Sequence, residues 1–176
     1  ESVRRILEAK FVLGLFEHPY ADEAQSMRLR LSAEHRATAL EAARQSIVLL
    51  KNRSNILPLD ARKYRKVLVT GINADDENIM GDWSAHQNPE NVITILEGLR
   101  SVSPETDFTF VDQGWDPRNM SRANVEKAVL ASRESDLNIV VAGEYMMRYR
   151  WKDRTCGEDT DRSDIDLVGL QNELIE

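Results

Sequence analysis

Residues 137–144 read LNIVVAGE, a short β-branched apolar run that ends in a glycine and a carboxylate. Its apolar residues, Leu137, Ile139, Val140, Val141 and Ala142, are what a buried parallel strand should show. Glu144 at its carboxyl end falls at the rim where open α/β sheets bind ligands. A long polar loop follows, carrying Glu158 among Arg148, Arg150, Lys152, Arg154 and Arg162. Holding a charged loop of that length between a strand and a helix is costly, which points to function.

Working outward, the same period recurs. KVLVTG (66–71) and DFTFV (107–111) read as two more strands. GINADD leads into a short helix around Glu77–Met80, and Thr94–Ser101 is a helix with Ile95, Leu96 and Leu99 inward. Ser121–Ser135 is helical, capped by Ser121 or Asn119, with Val125, Ala128, Val129 and Ser132 on one face. A last helix spans Ile165–Ile175. Strand and helix in strict alternation imply a parallel, doubly wound sheet with right-handed crossovers.

The amino-terminal part does not share this pattern. Ser2–Leu13 has a helical stripe (Val3, Ile6, Leu7, Phe11, Val12), with Ser2 as N-cap and Gly14 as stop. LFEHPYADE is extended, and a long helix over Ala33–Lys51 opens at Ser32. The chain starts within a helix, has no initiator Met and stops in LQNELIE, which reads as a piece of a longer protein.

Composition narrows the function. The 176 residues suffice for one domain with a core. A net charge of −7 argues against broad nucleic-acid binding. No run approaches the roughly 18 apolar residues of a membrane span, and the opening ESVRRILEAK is no signal peptide. Cys156 is the single cysteine and the three histidines (His18, His35, His86) are scattered, so no disulfide or metal cluster is implied. A nucleotide-binding reading fails at the first turn. INADDE follows KVLVTG in place of a G-x-G-x-x-G or G-K-S/T fingerprint, and its acids would repel phosphate.

The ordered blocks VRRILEAKFVLGLFEHPY, AARQSIVLLKNRSNILPLD, KVLVTGINADDENIMGDWSA, NVITILEGLR, VVAGE and GEDTDRSDIDLVGLQNELI resemble glycoside hydrolase family 3, the β-glucosidase and β-xylosidase family. The resemblance covers nearly the whole chain and suits the bacterial β-glucosidase branch. It implies a (β/α)8 barrel followed by an α/β sandwich, with the active site between them. On that reading residues 1–20 are the end of the barrel and 21–36 a linker. Residues 37–176 are then the first part of a three-layer sandwich with a mostly parallel sheet.

The resemblance also implies chemistry. Retaining glycosidases use two carboxyl groups about 5 Å apart, one a nucleophile and one a general acid/base. The family's nucleophile is a barrel aspartate, and no residue here corresponds to it; Asp82 of GDWS does not match that motif. The acid/base position maps onto Glu158, with Glu144 as rival and Asp159 and Asp161 as further competitors in the loop. The alternatives are a solvated loop carboxylate for Glu158 and a structural carboxylate at the sheet rim for Glu144. Trp83 is expected either to pack in a core or interface or to stand near the sugar. Some relatives place a second tryptophan four residues on, where this chain has Gln87. Trp151 would cover the acceptor sugar or pin the loop, and Trp115 would pack in its loop. Arg162 is a candidate substrate contact that more readily fixes the loop through a salt bridge. No cofactor is implied.

The expected whole is an exo-acting β-glucosidase, with a β-linked oligosaccharide or glucoside as substrate and the barrel as partner. Its location is expected to be periplasmic or secreted, and the isolated piece inactive. The alternative is a non-catalytic sandwich serving as scaffold or sugar-binding surface.

Overall fold

The computed structural model describes residues 1–176, apart from the side chain of Arg148. Two compact units divide the chain, Glu1–Ile56 and Leu57–Glu176.

The first unit contains three helices, α1 (Ser2–Val12), α2 (Glu23–Leu29) and α3 (Ala33–Ser46). Glu1, not Ser2, is the N-cap residue of α1, and Gly14 at φ +67° lies just past its end. Helix α2 falls where the sequence suggested an extended linker. Asp22 starts it by accepting the Gln25 N–H. Ser32 caps α3 through the His35 N–H, as expected. This helix ends five residues early: Ile47 leaves helical geometry at ψ 124°, and the β-branched pair Ile47–Val48 begins an extended, exposed IVLL run.

The second unit is built on three parallel strands, β1 (Lys66–Thr70), β2 (Asp107–Val111) and β3 (Leu137–Val140), in the order β2-β1-β3. Val67 pairs with Phe108 on one side and Leu137 on the other. The central strand explains the unbroken apolar run of KVLVT. Leu68 and Val69 are 2% and 0% exposed because both faces are covered.

Each face carries its own core. Val67 and Val69, with Phe108, Phe110, Leu137 and Ile139, pack on Leu96 and Leu99 of helix α4 (Ile95–Val102). The opposite face meets Met120, Val125 and Ala128 of and before α5 (Arg122–Ser132), and Leu174 of α6 (Gln171–Ile175). Helix, sheet and helix make the three-layer sandwich expected of an α/β domain.

Local signals set most boundaries. Thr94 and Glu97 form a reciprocal capping box at the start of α4. Several expectations fail. Ile95 is 36% exposed, so only Leu96 and Leu99 of α4 turn inward, and Ser121 stands at the N-cap of α5 without a side-chain capping bond. Val129 is 42% exposed although it follows Ala128, so only Val125 and Ala128 of that face reach the core. The last helix starts at Gln171, not Ile165, and Ile165 lies fully in solvent. Gly169, at φ +73°, explains the delay: it sits against the Pro117 carbonyl, where a Cβ would overlap. The chain must cross that point before it can coil.

Candidate active site

The carboxyl ends of β1 and β3 deliver the candidate residues. After β1 the chain turns at Gly71 into a 3-10 turn (Glu77–Met80) and then the Gly81-Asp82-Trp83-Ser84 segment. After β3 it runs through Glu144 into a 3-10 stretch (Arg148–Asp153) and the Glu158 loop.

Asn78, 3% exposed, ties these two segments together. Its amide donates to the Glu144 carbonyl at 2.6 Å and to Asn73 Oδ1 at 2.6 Å, and its Oδ1 accepts the Met146 N–H at 2.8 Å. Thr155 closes the base of the loop. Its N–H donates to the Tyr145 carbonyl at 2.7 Å, and its Oγ1 accepts the Tyr145 N–H at 2.9 Å. Arg118 holds the same point from outside, donating to the carbonyls of Asp153 and Arg154, each at 2.8 Å.

Glu144 is half-buried and engaged at both oxygens. Arg162 pairs with Oε1, and the Thr155 hydroxyl donates to Oε2. Arg162 also donates to the Asp166 carbonyl at 2.6 Å. The arginine therefore joins the far end of the loop to the rim of β3 as a salt bridge.

Glu158 is exposed, but its backbone is fastened. The Asp82 carboxylate accepts the Glu158 N–H at 3.1 Å, and the Arg154 guanidinium donates to the Glu158 carbonyl. Asp82 and Arg154 pair with each other at 2.6 Å. The Arg154 side chain is 0% exposed, and its guanidinium lies 3.7 Å from the Trp151 ring centroid. Trp151 is 44% exposed and Trp83 is 77% exposed. Trp83 is thus exposed in this unit, next to Asp82, the residue that holds the Glu158 loop. Trp115 packs at 5.1 Å against the buried Tyr145, as a loop-packing residue should, with Arg150 4.5 Å from its ring centroid.

Glycosyl hydrolase family 3 C-terminal domain is the description of the family model that matches residues 47–176. The chain belongs to this family. A β-xylosidase of Formosa agariphila is 34% identical over 100% of the chain and 24% of its own length. A periplasmic β-glucosidase of Salmonella typhimurium is 29% identical over 99% of the chain and 25% of its own length. Among solved structures, a β-glucosidase involved in saponin metabolism from intestinal bacteria superposes with a TM-score of 0.78 at 29% identity, covering 97% of this chain and 26% of that one. A Listeria innocua β-glucosidase in complex with gluconolactone gives a TM-score of 0.76 at 28% identity, covering 97% of this chain and 22% of that one. The chain spans about a quarter of the length of these curated relatives.

In this family 3 domain the remaining titratable groups at the strand ends are shaped by burial. Burial pushes the Asp76 carboxyl up, with the Asn78 N–H and Arg150 opposing. The Tyr145 hydroxyl is pushed up to about 12 for the same reason, and the Cys156 thiol is also raised by burial, with the Glu144 charge adding to it. Among the described residues no group of histidine, cysteine and carboxylate side chains has a metal-binding arrangement. Asp82, Arg154, Asn78 and Thr155 were not legible as a cluster, since the Asp82–Arg154 pair spans 72 positions and no local period marks it. The available signal was the GDWS block itself, whose aspartate has no capping role in the sequence around it.

Proposed function

We propose that this domain supplies the general acid/base of a retaining, exo-acting β-glucosidase, with Glu158 in that role. The observation that carries the reading is the placement of Glu158. It is an exposed carboxylate whose backbone is pinned at N–H and carbonyl, on a loop at the strand ends that also presents Trp151. A glycosidase acid must reach a sugar held outside this domain while keeping a defined position, and this placement meets both needs.

The chemistry follows from the pairing of two carboxyl groups. A barrel aspartate of the complete protein attacks the anomeric carbon while Glu158 gives its proton to the departing glycosidic oxygen. Glu158, now a carboxylate, takes a proton from water as that water attacks the glycosyl-enzyme bond, which returns both groups to their starting state. Glu144 is less suited to this because both its oxygens are engaged by Arg162 and Thr155. Trp83 and Trp151 offer flat apolar faces for sugar C–H surfaces. Arg162 acts on the loop and not on the sugar. The first segment, residues 1–20, belongs on this reading to the barrel, and residues 21–36 to a linker. Likeness to relatives of both kinds supports a substrate among β-linked glucosides or xylosides, and likeness to the Salmonella protein supports a periplasmic or secreted location.

The test is Glu158→Ala in the full-length protein. Turnover of glycosides with poor leaving groups should fall by about 10²–10⁴-fold, with a much smaller loss on activated aryl glycosides and partial rescue by azide. Wild-type turnover on both substrate classes would sink the Glu158 assignment, and Glu144→Ala would then separate the rival acid/base from the non-catalytic sandwich reading.

A further inference from the structure

We propose that Arg154 and Asp82 are positioning residues that set where the Glu158 carboxyl stands relative to Trp151 and the Trp83 segment. The inference rests on the reading of Glu158 as acid/base.

A guanidinium with no exposure is an expensive element to place four residues before a solvent-facing glutamate. Its carboxylate partner is Asp82, whose own side chain is 11% exposed. Arg154 Nε is buried and makes no hydrogen bond. The burial is therefore not arranged for maximal pairing. Instead the two terminal nitrogens serve different groups, with Nη1 donating to Asp82 and Nη2 to the Glu158 carbonyl. Asp82 divides its oxygens in the same way, Oδ1 to Arg154 and Oδ2 to the Glu158 N–H. The result is a closed ring through two side chains and one peptide unit on each side of the Glu158 Cα.

Both ends of that ring are fixed independently. The Arg154 carbonyl is held by Arg118, and Thr155 is paired with Tyr145. Asp82 follows the turn whose Asn78 is buried against the Glu144 carbonyl. Gly157 permits the closure: at φ +104°, a Cβ there would stand 2.7 Å from Asp82 Oδ2. Because the guanidinium also lies on the Trp151 ring, the same side chain fixes the aromatic and the glutamate. A loosened ring would let Glu158 drift from the glycosidic oxygen without removing its carboxyl group.

The test compares Arg154→Lys, Asp82→Asn and Gly157→Ala with Glu158→Ala in the full-length protein. Each is assayed on a glycoside with a poor leaving group and on an activated aryl glycoside, after thermal unfolding confirms a folded variant. Lysine keeps the charge but cannot serve both partners with one planar fork. For the positioning variants kcat on the poor leaving group should fall about 10- to 100-fold, as an acid displaced by about 1 Å predicts. The activated substrate should lose far less, with KM moving less than kcat, so that dependence on leaving-group acidity steepens. A parallel loss on both substrates, or no loss on either, would overturn the positioning role. Should Arg154→Lys fail to fold, Asp82→Asn and Gly157→Ala decide the matter. Glu158→Ala separates the two ideas. If it lacks the leaving-group effect, the acid/base assignment fails; if it shows the effect and the others do not, the positioning role alone fails.

Discussion

Gln171 and Gly143 pair as two strand residues would: the Gln171 side chain donates Nε2–H to the Gly143 carbonyl and accepts the Gly143 N–H at Oε1, both at 2.9 Å. Gln171 is fully buried, so this amide binds the start of α6 to the exit of β3, one residue before Glu144. Replacing it with alanine removes both bonds and a third, from Nε2 to the Val168 carbonyl at 3.0 Å, and so takes a partner from three backbone groups. The expected loss is about 1–3 kcal/mol, read as a lower midpoint of urea unfolding. Gln171→Glu should cost at least as much, because a carboxylate cannot donate to the Gly143 carbonyl.

Gly71, just past the end of β1, is in contact with Val141 of the neighbouring segment. It has φ +109°, and a Cβ would overlap the Val141 carbonyl oxygen. That oxygen also accepts the Asn73 N–H at 3.3 Å. Gly71→Ala should destabilise the fold by about 2 kcal/mol or more, through strain and separation of the strand exits together. A thermal melt indistinguishable from wild type would contradict this packing.

Asn78 satisfies three groups drawn from both segments of the site. Asn78→Ala should release the Met146 amide, raising its hydrogen-exchange rate relative to amides of β1 while the sheet stays protected. Asn78→Asp should be worse than alanine above the carboxylate range. It turns a donor into a charge facing the Glu144 carbonyl, with a buried-group penalty of about 1–3 kcal/mol. Equal exchange of Met146 in wild type and both variants would rule out the bridge.

Asp136 anchors the amino end of the sheet. Its Oδ2 accepts the Arg65 and Lys66 N–H groups at 2.8 and 2.9 Å, and these bonds, Lys66 first, hold its carboxyl below the usual range. A lowered folded-state pKa means that the carboxylate contributes stability above its unfolded value. The contribution is lost as pH falls through the folded one. Asp136→Ala should therefore lose protection at the Lys66 amide at neutral pH. Its deficit against wild type should shrink on acidification below the ordinary carboxylate range. A deficit independent of pH would show that the charge plays no part.

Periodic signals carried well from sequence to fold. KVLVT is legible because a central strand covered on both faces needs an unbroken apolar run. DFTFV and LNIV are legible because β-branched and aromatic residues cluster over very few positions, with Thr109 and Asn138 exposed on the two edge strands that pair in parallel with it. The start of α4 was legible because its cap is completed by residues three apart. Boundaries that depend on distant contacts were not. The last helix is delayed to Gln171 by the left-handed Gly169; the glycine stands within 165–175, but the Pro117 carbonyl that it packs against lies far back in the sequence. Helix α2 was missed because a short helix resting on the Asp22 cap has little periodicity to display.

The sequence by itself determined the family, the parallel α/β class and the candidates Glu158, Glu144, Trp83, Trp151 and Arg162, since each is written in a local run or an ordered block. Tertiary structure decided how exposed each of them is and which remote residues its segment meets. It set Glu144 between Arg162 and Thr155, exposed Trp83, and joined Asp82, Arg154 and the Glu158 backbone across 72 positions. The physical reason is range. Hydrophobic period and caps act over a few residues, whereas the pairing of a buried charge is settled only when the strand ends bring remote segments together.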